Sequence, residues 1–141
     1  MTFIDSMEIL STGLGAERLR MNTAASNLAN ANTTRTEDGG PYRRIDPVFR
    51  ARVRAQPFGS VLEDAVRDVE VVDVVRDPDP PRRVYDPGHP DAGEDGYVAM
   101  PNVDVVEEMV NLMTAARTYE SSVTALQTVV DMAEKALQVG R

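Results

Sequence analysis

The residues of this chain best suited to chemistry stand together in one short stretch. Asp86, His89, Asp91, Glu94 and Asp95 place one imidazole and four carboxylates within ten residues. Such a mixed nitrogen and oxygen set can hold a divalent cation or move a proton. The same stretch, residues 86–96, also carries two prolines and three glycines, the composition of a rigid surface loop in which acids serve solvation. The structural-loop reading is the stronger one, so no metal ligand, catalytic residue or cofactor site is assigned. Elsewhere no nucleophile stands with a base at usable spacing, no glycine-rich phosphate loop occurs, and His89 is the only histidine. With no cysteine in 141 residues, disulfides, iron–sulfur clusters and thiolate zinc sites are excluded. An enzyme is not expected.

The positioning elements carry a clearer signal. Phe3, Met7, Leu10, Leu14, Glu17, Met21, Ala24 and Leu28 recur at alternating steps of four and three residues. Val105, Met109, Leu112, Ala116, Tyr119, Val123, Leu126, Val130, Ala133 and Leu137 do the same at the far end. A 4-3 repeat keeps one narrow helical stripe turned toward a partner helix, the geometry of a coiled coil. The first helix is expected over residues 3 to about 30, with Asp5 or Ser6 capping its first turn. Gly13 and Gly15 weaken its middle and invite a bend or a close helix approach. Asn27, Asn30 and Asn32 stand near its end, where an asparagine can adopt a left-handed cap or compete for backbone groups. In an apolar seam, Asn22, Asn27 and Asn30 can instead fix register and partner choice. Glu17 lies in the seam, where an unpaired carboxylate is costly, so it needs an Arg partner or a bend that turns it outward. The second helix is introduced by Pro101 and Asn102. Asp104, Glu107 and Glu108 favour its positive end, and Gly140 stops it.

Between the seams the period changes to two. Residues 42–54 alternate as a half-buried strand, with Pro47 confining its start to an edge or bulge, while Gln56 to Asp64 carry no clear pattern. A second strand is expected from Val66 to Arg76, ended by Asp77, Pro78, Asp79, Pro80 and Pro81. Short strands follow near 83–85 and 97–100. The fold class is therefore α+β: long N- and C-terminal helices pair as a coiled-coil α-domain, with a small β-rich insert between them. The corresponding units are residues 1–34, 35–101 and 102–141.

The net charge of −8 argues against a nucleic-acid partner, which needs clustered cations. The charge is segregated: Arg43, Arg44, Arg50, Arg52 and Arg54 crowd residues 43–54, while residues 63–95 hold eleven acids against four Lys and Arg. That pattern suits either self-assembly or two ordinary solvated faces. No run approaches 18 apolar residues, and Asp5, Glu8 and Glu17 interrupt any secretory h-region. No membrane span and no cleaved signal are expected.

Several strings carry a family resemblance. Gly13-Leu14, Arg18-Leu19-Arg20-Met21-Asn22 and Ser26-Asn27-Leu28-Ala29-Asn30 resemble the N-terminal signature of flagellar rod and hook axial proteins. Gly40-Pro41-Tyr42-Arg43-Arg44 follows. Tyr85-Asp86-Pro87-Gly88-His89-Pro90-Asp91-Ala92 and Gly96-Tyr97-Val98-Ala99-Met100-Pro101-Asn102-Val103 are similar to segments that set apart the FlgC-type proximal rod proteins of the flagellar basal body. Glu108-Met109-Val110 and Ala116-Arg117-Thr118-Tyr119-Glu120 resemble that family's C-terminal helix. The chain departs from it at Ser121 and Ser122, where Ala-Asn is usual, and at Val130 and Asp131, where a Lys is common.

The resemblance implies a structural subunit that polymerises into the helical drive shaft of the flagellum and performs no catalysis. It implies residence in the rod of the periplasmic space after export through the flagellar type III apparatus without signal cleavage. The implied partners are copies of the chain itself, other rod proteins, MS-ring and rod-adaptor proteins, and transiently the export apparatus. Assembly contacts are then expected at Met7, Leu10, Leu14, Met21, Asn27, Leu28, Asn30, Val105, Met109, Leu112, Ala116, Tyr119, Val123, Leu126, Val130 and Leu137. The residues alone leave a second reading, a soluble coiled-coil adaptor or export chaperone.

Overall fold

A computed structural model describes residues 3–53 and 67–139. Along the chain run α1 (Phe3–Ala29), β1 (Ile45–Val53), β2 (Arg67–Arg76), β3 (Arg82–Tyr85), β4 (Tyr97–Met100) and α2 (Val105–Val139). This is the α+β arrangement expected, two long helices with a small β-rich region between them. The expectations at Arg54, Gln56 to Asp64, Val66 and Gly140 fall outside the described residues. No described helix is long and apolar enough to cross a membrane.

Leu, Met, Ala and Arg, all good helix formers, sustain α1 from Phe3 onward, so Asp5 and Ser6 sit within it and not at its cap. At its end the second of the two expected asparagine roles is taken. No non-glycine residue among those described has a positive φ, so no asparagine adopts the left-handed cap. Asn30 acts through its side chain, its Nδ2 donating to the Ser26 carbonyl at 2.9 Å. Ala31 and Thr33 then close tight turns onto Leu28 and Asn30. Glu17 has found its cation one turn on, at 3.3 Å from Arg20. Among the described residues a Cβ at Gly13 or Gly15 would meet nothing within 4 Å, so neither glycine serves a close approach to them.

The start of α2 is capped by Asp104, whose Oδ1 accepts the N–H groups of Val106 at 2.8 Å and Glu107 at 3.2 Å. From there α2 packs along α1, but its covered stripe is not the most apolar one. Glu108, Leu112, Ala115, Tyr119, Ser122, Leu126, Val129 and Ala133 are the positions buried or half-buried on one side. They too follow a 4-3 repeat, sharing Leu112, Tyr119, Leu126 and Ala133 with the expected seam and standing one residue earlier at its alternate positions. Ala116 and Val123 flank it, half-buried, whereas Val105, Met109, Val130 and Leu137 are exposed. In α1 the expected stripe is covered beyond its first residue: Phe3 is exposed, Ala24 is buried, and Met7, Leu10, Leu14, Glu17, Met21 and Leu28 are half-buried.

β1 and β2 form an antiparallel ribbon with a bulge after Val48. The crowded arginines answer the acids of the facing strand: Arg50 meets Glu70 at 3.0 Å and Arg52 lies 3.6 Å from Asp68. Part of the segregated charge is thus a cross-strand ladder within one chain. The ribbon is less buried than its alternation predicts. α1 is the element packed upon it, and Val48, Val69, Val71, Val72, Val74 and Val75 are all exposed. β3 and β4 pair separately in register from Arg82 with Met100 to Tyr85 with Tyr97. The Tyr85 and Tyr97 rings meet edge-to-face at 5.2 Å, and the Arg83 guanidinium lies 4.9 Å from the Tyr97 ring centre. Among the described residues the buried apolar side chains are mostly small: Ala16, Ala24, Ala31, Val98, Val103 and Ala115.

Two glycines therefore predict opposite outcomes. Gly15→Ala should raise the stability of the isolated chain by about 0.5–1 kcal/mol, the helix-propensity difference. Gly96→Ala should lower it, because φ is +74° there and a Cβ would stand 2.8 Å from Tyr85 Cε2. Urea unfolding of the variants checks both signs.

Candidate functional site

The acidic loop is held together by itself. Asp86 N–H donates to the Gly96 carbonyl, and further turns link His89 to Asp86, Ala92 to His89 and Gly96 to Gly93. The side chains that suggested a cation site serve this backbone. Asp86 Oδ1 accepts Gly88 N–H at 3.2 Å and Asp95 Oδ1 accepts Tyr97 N–H at 3.2 Å. The His89 Nδ1 accepts Asp91 N–H at 3.1 Å, and Asp91 Oδ2 accepts the Thr34 hydroxyl at 2.8 Å. The Tyr97 N–H foremost, and with it the paired Arg83, holds the Asp95 carboxyl below the usual carboxylate range. Among the described residues no three His, Asp or Glu converge as a metal site. Solvation and loop architecture account for the cluster.

The chemically specific place in the molecule is the junction where α1, α2 and β1 meet. Asn27 is 1% exposed there and uses its whole amide. Its Oδ1 accepts Ile45 N–H at 3.0 Å and the Tyr42 hydroxyl at 2.9 Å. Its Nδ2 donates to the Ile45 carbonyl at 2.9 Å and to Glu108 Oε2 at 3.2 Å. By meeting both backbone groups of Ile45, the side chain substitutes for one rung of a neighbouring strand. Glu108, 2% exposed, receives Arg44 Nε on its other oxygen at 2.6 Å. Arg44 in turn pairs with Asp46 and lies 4.0 Å from Asp77 and 3.9 Å from Glu107. Its backbone N–H donates to Asn102 Oδ1 at 3.2 Å and its carbonyl accepts Asp77 N–H at 2.8 Å. Burial opposes the Arg44 charge, but hydrogen bonds to Glu108 and Asp46 outweigh it, and the guanidinium sits above its ordinary pKa. This is a fixed, satisfied ion pair with no nucleophile and no open coordination position. It can hold three elements in one geometry.

The structure brings Asn27 of the expected residues into this junction and sets Asn30 one turn on, at the helix end. Arg44, Tyr42, Asp104 and Ala115 were not singled out by periodicity. Glu108, expected only to favour the positive end of α2, is also buried. The signal that exists for it is the second 4-3 register of α2, which begins on a glutamate and includes Ser122 and so is hidden by the more apolar register beside it. Ser122 itself bonds the Thr118 carbonyl at 2.9 Å in its own helix.

Comparison with known proteins agrees with this arrangement of parts. Residues 7–35 match a family described as flagella basal body rod protein, and residues 94–139 one described as flagellar basal body rod FlgEFG protein C-terminal. The chain is similar to the flagellar basal-body rod protein FlgC of Escherichia coli O6:H1, 44% identical over 141 residues and all of both chains. It is similar to that of Borreliella burgdorferi, 39% identical over 150 residues, covering 99% of this chain and 98% of the relative. Bacillus subtilis FlgC is 37% identical over 152 residues, again covering both chains in full.

Removing one member of a buried ion pair strands the other. Arg44→Met is expected to cost about 3–5 kcal/mol in urea unfolding of the isolated chain, and Arg44→Met combined with Glu108→Leu clearly less. Equal or additive losses would show that the pair is not a coupled unit.

Proposed function

The chain belongs to the FlgC family of flagellar basal-body rod proteins and is a structural subunit of the rod; from that premise we propose that it works in the proximal rod as a link in the torque-bearing shaft. The observation that carries this reading is how little of its apolar surface it covers by itself. Exposed Val105, Val106, Met109, Val110, Met113, Met132, Leu137 and Val139 on α2 stand against a buried apolar set that is mostly alanine. The chain exposes 10037 Å², where a compact monomer of its 15.5 kDa mass would expose about 7,200 Å². Covering such surface between subunits, at about 25 cal/mol per Å² of apolar area, supplies the cohesion that a stiff shaft needs.

In this proposal residues 1–34 and 102–141 form the assembly domain, and residues 35–101 are an insert on its outside. Met7, Leu10, Leu14, Met21, Leu28, Leu112, Tyr119 and Leu126 hold the helix pair together. Val105, Met109, Val130 and Leu137 meet neighbouring subunits, with Ala116 and Val123 at the border. Asn27 and Asn30 contribute by fixing the helix end. The neighbours are copies of the chain, other rod proteins, and MS-ring or rod-adaptor proteins. The site of work is the rod in the periplasmic space, reached through the flagellar export apparatus without signal cleavage. The adaptor or chaperone reading is not favoured, since the full-length relatives are rod proteins by name.

Mass spectrometry of purified hook–basal bodies tests the proposal. The chain should be present and resist detergent and salt; its confinement to the cytosol would overturn the reading. Leu126→Asp, which sets a charge in the half-buried seam, should abolish incorporation at unchanged expression. Wild-type incorporation of this variant would remove the seam from assembly.

A further inference from the structure

The two helices differ in length, and the difference exposes a helix end. Asn27 bonds Glu108 and the helices run antiparallel, so at equal rise per residue Phe3 stands level with about residue 132 of α2. Past that level no described residue of α1 accompanies α2. Leu137 and Val139 are 75% and 88% exposed there, and Met132 is exposed beside them. At the opposite end of α2, Val106, Met109, Val110 and Met113 form a second exposed apolar face. Through Val105 this face adjoins a groove of about 410 Å³ between the end of α1 and the start of α2, lined also by Ala31, Arg82, Asn102 and Asp104.

These two patches differ in shape and lie at opposite ends of one helix pair. A two-fold dimer buries the same patch on both subunits, whereas unlike patches at opposite ends suit a head-to-tail contact that repeats without closing. The projecting end is a convex single helix and the groove is concave. Their charges also match. Glu134 on the projecting end can face Arg82, which forms no ion pair among the described residues, and Lys135 can face Asp104. The segment is also a shared one, since residues 94–139 match the C-terminal segment described for FlgEFG rod proteins.

We propose that the projecting C-terminal turns of the long helix of one rod subunit seat in this groove, and on the Val105–Met113 face, of the next subunit along the axis. The inference rests on the chain being a rod subunit and adds where axial neighbours meet. Successive subunits are thereby registered by one helix end in one groove, and the apolar surface of α2 is covered at both ends by the same kind of contact.

A photoreactive benzoylphenylalanine at the position of Val106, in full-length chain expressed in flagellated cells, reads the contact in purified basal bodies. The expected adducts map to the last turns of the long C-terminal helix of a rod subunit, with the mass identifying whether it is a second copy or another rod chain. The same probe at Leu137 should give the reciprocal adduct on a groove. Adducts on β-strands or on α1, or none in basal bodies that contain the probe-bearing chain, would overturn the docking while leaving the rod assignment intact. Absence of the wild-type chain from basal bodies would overturn both. Because the chain has no cysteine, Val106→Cys gives a second measurement should the bulky probe block incorporation. Its thiol should label at least tenfold more slowly in basal bodies than in the isolated chain, and equal rates would overturn the proposal.

Discussion

The Arg44–Glu108–Asn27 network is the constraint on which the other parts of the molecule depend. It joins residues far apart in sequence, and each member comes from a different element. Asn27 belongs to α1, Glu108 to α2, and Arg44 leads directly into β1. Because Asn27 binds both backbone groups of Ile45, the ribbon is oriented as well as attached. A purely apolar junction would tolerate sliding by a turn or rotation by a residue. A carboxylate buried with one guanidinium and one amide tolerates neither, since any shift leaves a desolvated charge without its partner.

That rigidity explains how a chain with so small a core keeps a defined shape. Among the described residues the buried apolar side chains are mostly alanines, which let α1 and α2 approach but contribute little transfer energy each. The larger apolar residues of α2 are divided. Leu112, Tyr119 and Leu126 turn toward α1, while Val106, Met109, Val110 and Met113 turn away. Spending the more apolar stripe on the intramolecular pair would have left a polar helix face outside, suited to a monomer. The polar junction holds the pair together through Glu108 and frees the better apolar stripe for surfaces that form only on assembly.

Much of this was legible in the residues. Both helices, the four strands and the α+β class follow from a change of period between 3.5 and 2 and from the proline-rich stops. The residues leave open whether Asn30 ends its helix by a left-handed cap or through its amide, and the amide reaches the Ser26 carbonyl. What misled was local plausibility. Glu108 looks like a surface carboxylate at a helix start, since nothing within ten residues announces Arg44, 64 positions away. The seam of α2 was displaced because hydrophobicity ranks two competing 4-3 registers by their apolar content, and the network selects the less apolar one. In the loop at 86–96 the Asp86 and Asp95 carboxylates are used on backbone N–H groups of the loop and of β4.

A structural subunit of a rod faces two opposed demands. Its assembly surfaces must be apolar enough to cohere, yet it must not reach a false minimum by folding those surfaces onto itself. Placing the charge pair at the junction answers the second demand, because a collapse that buried Met109 or Val106 against α1 would have to rotate Glu108 away from Arg44. The same pair thus acts against the wrong intramolecular packing and for the right one. The bidentate hold on Ile45 extends this to the ribbon, which it fixes against the end of α1. Specificity at this junction, more than total buried area, is what allows so much apolar surface to stay available.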